Sequence, residues 1–147
     1  MPTILHDHAI RSSIENRLRL LRPDTKPQWG KMSVDQMLWH VNQATAVHLG
    51  KSEVGPDRPP IPKGMLKFVV LRMPWGKGAP TNSAFKAQKV YEFDSELERC
   101  FNLIAEFTAR PLDAQWPEHP IFGPMSGAEA SRLQAKHLDH HLKQFGA

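Results

Sequence analysis

The sequence predicts an all-α protein: a four-helix bundle, with a long Pro/Gly-rich connection between its second and third helices. Three observations predict it. Four stretches place apolar residues at helical spacings of three and four. Two of these open with a capping box, Ser33 with Gln36 and Ser126 with Glu129. No stretch sustains the apolar–polar alternation of a half-buried strand. At 147 residues the chain suits one domain, residues 1–147, with a single sizeable core.

The first helix lies in HAIRSSIENRLRLLRP. Ile10, Ile14, Leu18 and Leu21 share one face, and Pro23 ends the stretch. The second should run from about Val34 to Leu49. Met32 and Met37 supply a hydrophobic staple around its cap, Asp35 suits the positive end of the helix dipole, and Gly50 stops the helix. Residues 50–83 hold many prolines and glycines around one short apolar element, MLKFVVLRM. A structureless loop of that length is unusual in a small domain, so the connection should pack over the bundle and form a pocket wall. The third helix is expected from Phe85 to Ala109, with Val90, Phe93, Leu97, Cys100, Phe101, Ile104 and Phe107 on one face. HPIFGPM (119–125) reads as a turn, and the last helix runs from Ser126 to about Gln144.

Composition narrows the function. Net charge is only +4 and the basic residues are scattered, so nothing marks a nucleic-acid interface. The most apolar stretch, residues 65–73, is too short to span a bilayer, which needs about 20 apolar residues. The single cysteine, Cys100, can form no internal disulfide and lies on an apolar face, where it reads as a buried small hydrophobe. With no secretory signal visible at the start, a reducing cytoplasm is the expected location. An exposed apolar face on the first helix or in the connection would suit a homodimer.

Three of the eight histidines fall within KHLDHHLKQFG (136–146). His137 and His141 are four apart, hence on one helical face, beside the stripe of Leu133, Leu138, Leu142 and Phe145. Two imidazoles so placed can converge on one metal ion. His40, in the sector of Met37, Val41 and Ala44, faces the same interior and is the candidate third ligand. Spacing alone equally permits three hydrogen-bonded core histidines. His140 points toward the polar side. His6, His8 and His119 are expected in solvent, and His48 as a dipole partner at its helix end. Trp75 and Trp116 should line a pocket or cover the core. Glu92, Asp94, Glu96 and Glu98 read as a solvated face, and Lys67, Arg72 and Lys77 as surface charge. Histidine ligation predicts metal affinity falling below about pH 6.5, where free imidazole protonates.

WGKMSVDQMLWH in the second helix and HLDHHLKQFG in the last resemble the DinB-like metal-binding four-helix bundles. The likeness is nearest to a branch of uncharacterised bacterial proteins patterned WG-x-M-x-x-x-QM-x-x-H and H-x-x-HH-x-x-QFG. It spans residues 10–146, with Ala130 standing where a bulky aromatic is expected. It implies a divalent metal ion, zinc or nickel, held by His40, His137 and His141. It further implies a metalloenzyme that activates a thiol or water, as in thiol-dependent transferases that use a low-molecular-weight thiol, or in a hydrolase. The alternative is a non-catalytic bundle that binds metal or ligand without turnover.

Overall fold

The computed structural model describes residues 3–52, 60–77, 86–87 and 89–147. These form five α-helices and no β-strand: α1 (His8–Leu18), α2 (Val34–His48), α3 (Lys63–Arg72), α4 (Phe93–Ala109) and α5 (Gly127–Gln144). That is one helix more than the four periodic stretches. The addition is α3, which forms from the apolar element of the long connection. Within that connection, residues 53–59 and 78–83 lie outside the described residues.

The starts of α1, α2, α4 and α5 are set by side chains that satisfy otherwise unpaired N–H groups. Asp7 caps α1, its Oδ1 accepting from the amides of Ala9 (2.9 Å) and Ile10 (3.2 Å). The helix stops at Leu18, short of Pro23, although Leu21 still reaches the core. In α2 the Ser33 amide donates to Gln36 Oε1 at 3.0 Å, within the expected box. In α5 both halves are present: Ser126 N donates to Glu129 Oε1, and Glu129 N to Ser126 Oγ, each at 3.1 Å.

The start of α4 differs from expectation. It begins at Phe93, capped by Glu92, whose carboxylate accepts from the Ser95 amide at 2.6 Å. Residues 86–87 and 89–92 are not helical, and Val90 is 83% exposed rather than on the apolar face. Residues 85 and 88 lie outside the described residues. Helix α2 accounts for the difference. Its Asp35 accepts from the Tyr91 amide (2.8 Å), and its Gln36 donates to the Lys89 carbonyl (3.1 Å). Backbone groups that a longer helix would pair internally are held by α2 instead.

Helix α2 packs against α4 and α5, and α5 also receives α1 and α3. Leu18, Met37, Leu38, Val41, Ile104, Phe107, Leu138 and Leu142 form the centre of the core, all nearly inaccessible. Each such side chain contributes roughly 1.5–3 kcal/mol by leaving water. Cys100 is buried among them as expected, and burial raises its thiol pKa to about 12. Ala130 too is fully buried, so a small side chain suffices there. Polar ties set the mutual position of the helices. Arg17 on α1 pairs with Asp139 on α5 at 2.8 Å, and Thr45 Oγ1 on α2 lies 2.9 Å from Gln134 Oε1 on α5. Gly127 permits the closest approach, since a Cβ there would overlap the Leu112 carbonyl and the Trp116 indole nitrogen. Among the described residues no helix is long and apolar enough to cross a membrane.

Candidate metal centre

Two helices bring His40, His137 and His141 together. His40 follows from the face of α2 that buries Met37 and Val41. His137 and His141 follow from their spacing of four on α5. The three ring centroids stand 4.7–4.8 Å apart, and one nitrogen from each ring can be chosen so that all three lie within 4.8 Å of one another. His40 and His141 are buried. Burial is the leading cause that lowers the His141 pKa to about 3, with the neighbouring His40 adding to it. His137 is lowered well below its ordinary value by burial first, then by His141 and His40. The pair His137 and His141 was expected from its spacing and His40 from the apolar sector it shares with Met37 and Val41, and the structure brings the three to one place.

Their geometry can be compared with what a metal ion requires. His40 Nε2 and His137 Nε2 are 2.9 Å apart, so as neutral rings one donates its proton to the other. Two nitrogens on one tetrahedral zinc, each at about 2.05 Å, stand about 3.3 Å apart. The His40 and His137 rings therefore need to separate by about 0.4 Å to share an ion, while the His141 nitrogen, within 4.8 Å, has to close toward them. Three neutral imidazoles form a donor set suited to zinc or nickel.

Aromatic rings surround the cluster. Trp75 packs edge-on against His137 (5.7 Å) and His140 (5.5 Å), and Trp29 lies 5.8 Å from His140. Trp75 thus lines the centre, as one of its two expected roles. Trp116 takes the other and covers the core against Phe107. His140 is partly buried beside the cluster and does not join the group. Lys136 on α5 donates to the carbonyls of Val70 (2.7 Å) and Met73 (2.6 Å), fastening α3 near the histidines. Lys67 pairs with Glu129 at 3.1 Å, and Lys77 lies over the Trp29 ring. A cleft of about 490 Å³ between α2 and α4, bordered by Gln43, Arg99 and Glu106, is a separate feature.

Three histidines expected elsewhere are placed differently. His119 is buried, and its Nδ1 accepts from the amides of Ile121 (3.1 Å) and Phe122 (3.3 Å), closing the turn at 119–123. Burial, then Lys63, lowers its pKa to about 4. His6 bridges Ser131 Oγ (2.8 Å) and the Arg110 carbonyl (2.7 Å) instead of standing in solvent. His48 is buried with its ring 4.8 Å from that of His119. Burial first, and His119 second, lower its pKa to about 3, so it is neutral and no cationic partner of the helix dipole. His8 is exposed as expected. Of the acidic residues on α4, Asp94 and Glu98 are exposed, whereas Glu96 turns inward to accept from Asn42 Nδ2 at 2.9 Å. One residue at the centre had no role in the sequence reading: Gln144, whose Oε1 lies 2.7 Å from His141 Nδ1.

No curated protein and no solved structure matches the chain. The model of a family described as a protein of unknown function (DUF1569) matches residues 3–147, essentially the whole sequence, and the chain belongs to that family.

Proposed function

We propose that this protein is a metalloprotein of the DinB-like four-helix-bundle kind. In this reading His40, His137 and His141 hold one divalent ion, zinc or nickel, and the site activates a thiol or water. The observation that carries it is the convergence of three imidazoles from α2 and α5 to within 4.8 Å, in a setting where burial lowers the pKa of His137 and His141. Separate burial of three imidazoles would require three sets of polar partners. One shared ion satisfies them together.

An ion held only by neutral ligands keeps its full double charge and stabilises a thiolate or hydroxide near neutral pH. The chain supplies the rest. His137 and His141 are set one helical turn apart by α5, and His40 meets them from α2. Trp29 and Trp75 wall the neighbouring His140 and limit water, which strengthens electrostatic interactions inside. A low-molecular-weight thiol would be the co-substrate of a transferase reaction, and water that of a hydrolysis.

A second reading, a bundle that binds metal or ligand without turnover, is favoured by one observation. Among the described residues the metal-competent group comprises three histidines and no carboxylate that could serve as a base. Loss of thiol in the presence of electrophiles separates the two readings.

The test of the site is elemental mass spectrometry on untagged protein. About one zinc or nickel per chain is expected, lost in a folded His40→Ala/His137→Ala/His141→Ala variant and retained in His140→Ala. No metal after incubation with zinc and nickel at pH 8 would overturn the proposal.

A further inference from the structure

Gln144 sits at the end of α5, 5% exposed, and makes two directed contacts. Its Nε2 donates to the Trp29 carbonyl oxygen at 3.0 Å, and its Oε1 lies 2.7 Å from His141 Nδ1. These contacts determine the orientation of both groups. A carbonyl oxygen only accepts, so the amide must turn its NH₂ toward Trp29 and its oxygen toward His141. An amide oxygen also only accepts, so the His141 proton must sit on Nδ1. A neutral imidazole carries one ring proton, so His141 Nε2 is left with a free lone pair. That ring stands 4.7 Å from both His40 and His137.

The loop that orients Gln144 is itself fixed to α5. The Gln28 amide donates to the Gln144 carbonyl at 2.7 Å. Gly30 has φ of +81°, a left-handed conformation, and a Cβ there would stand 2.7 Å from Gln144 Nε2. Glycine thus lets residues 28–30 close over the amide. His40 and His137 share a proton between their own Nε2 atoms. The proton of His141 is held by Gln144, outside the group.

We propose that Gln144 is a positioning residue for metal uptake. It holds His141 as the Nδ1–H tautomer, so that Nε2 is ready to bind an ion. The proposal rests on the metal reading of His40, His137 and His141. An imidazole without such a partner divides its population between two tautomers and several ring orientations. Partners of this kind behind metal-binding histidines change affinity by roughly 10–100-fold.

The experiment combines two readouts. The first is the tautomer of His141, read by long-range ¹H–¹⁵N NMR on histidine-labelled protein with metal removed. The second is zinc affinity, read by competition with a chromophoric chelator. The wild type should show a protonated Nδ1 and an unprotonated Nε2 at His141. Gln144→Met, similar in volume and at most a weak acceptor, should mix the tautomers and weaken zinc binding by roughly 10–100-fold. Gln144→Glu keeps an acceptor and should retain the Nδ1–H tautomer, with affinity nearer to wild type. A protonated Nε2 at His141 in the wild type overturns the proposal without any variant, whether or not Gln144→Met folds. So does unchanged zinc affinity in folded Gln144→Met. If the wild type itself takes up no zinc, the metal reading falls and this proposal with it. If wild type and variant bind zinc equally, only this proposal falls.

Discussion

Replacing His48 by leucine should make the protein less sensitive to acid. The wild-type ring is buried on α2, 4.8 Å from the His119 ring and edge-on to Phe107. Its folded pKa is lowered to about 3, while an unfolded histidine titrates near 6.5. Between those values the unfolded chain binds a proton that the folded protein does not. Stability therefore rises with pH across this window, and it is lost as pH falls from about 6.5 toward about 3. Each pH unit inside the window costs about 1.4 kcal/mol per histidine, so His48 removes about 2 kcal/mol between pH 6.5 and 5. That is a large share of a typical domain stability of about 5–15 kcal/mol. Leucine is close in volume and does not titrate. Urea unfolding at pH 7 and pH 5, followed by tryptophan fluorescence and far-UV circular dichroism with a chelator present, measures the difference. From pH 7 to 5 the variant should lose about 2 kcal/mol less than the wild type. Equal losses would mean that His48 is protonated while the protein is folded, and the reasoning from burial would fail.

Other expectations concern separate parts of the molecule. Gly127→Ala should lower stability by about 1–3 kcal/mol, because the methyl group meets the Leu112 carbonyl and the Trp116 indole; an unchanged melting temperature would refute the close approach. Cys100 should resist a disulfide reagent in native protein and react once the protein is unfolded, its thiol being buried and its pKa raised to about 12. Fast labelling of the native state would contradict that placement. Zinc affinity should fall less steeply between pH 7.5 and 5.5 than the titration of free imidazoles below about pH 6.5 would require, while the protein stays folded. Burial holds the His141 pKa near 3 and His137 well down, so protons do not compete in the range expected of free imidazoles. A tenfold fall per pH unit would show that these rings titrate as in water.

What the sequence revealed was local. The two Ser-led boxes located the starts of α2 and α5 because capping is decided within four residues. The pair His137 and His141 was readable for the same reason, since four positions on a helix fix a shared face. His40 could be added from the apolar sector it occupies. The misreadings arose where distant segments decide. Residues 86–92 continue a plausible apolar pattern, yet Asp35 and Gln36 take their backbone groups, and Glu92 caps the helix that follows. His119 looks like a solvated turn residue until the turn folds in beside His48. His6 acquires its partners from Ser131 and Arg110, more than a hundred residues away. Gln144 was invisible as a partner of His141 because its orientation depends on the Trp29 carbonyl, and no spacing rule reports that contact.

Helix α3 buries none of its side chains, yet it leads directly to Trp75, whose ring lies against His137 and His140 and whose indole N–H donates to the Val70 carbonyl. Two ammonium groups fasten it. Lys136 reaches the carbonyls of Val70 and Met73, and Lys67 reaches Glu129 and the Pro124 carbonyl. The cover over the histidines is therefore latched by charge and hardly at all by apolar burial. Acylation of Lys136 would remove its ammonium group and leave a single N–H for these two carbonyls. Concentrated salt would loosen the Lys67 pair while leaving the core untouched. Access to the three histidines would then answer to lysine chemistry and ionic strength, independently of the stability of the helices beneath.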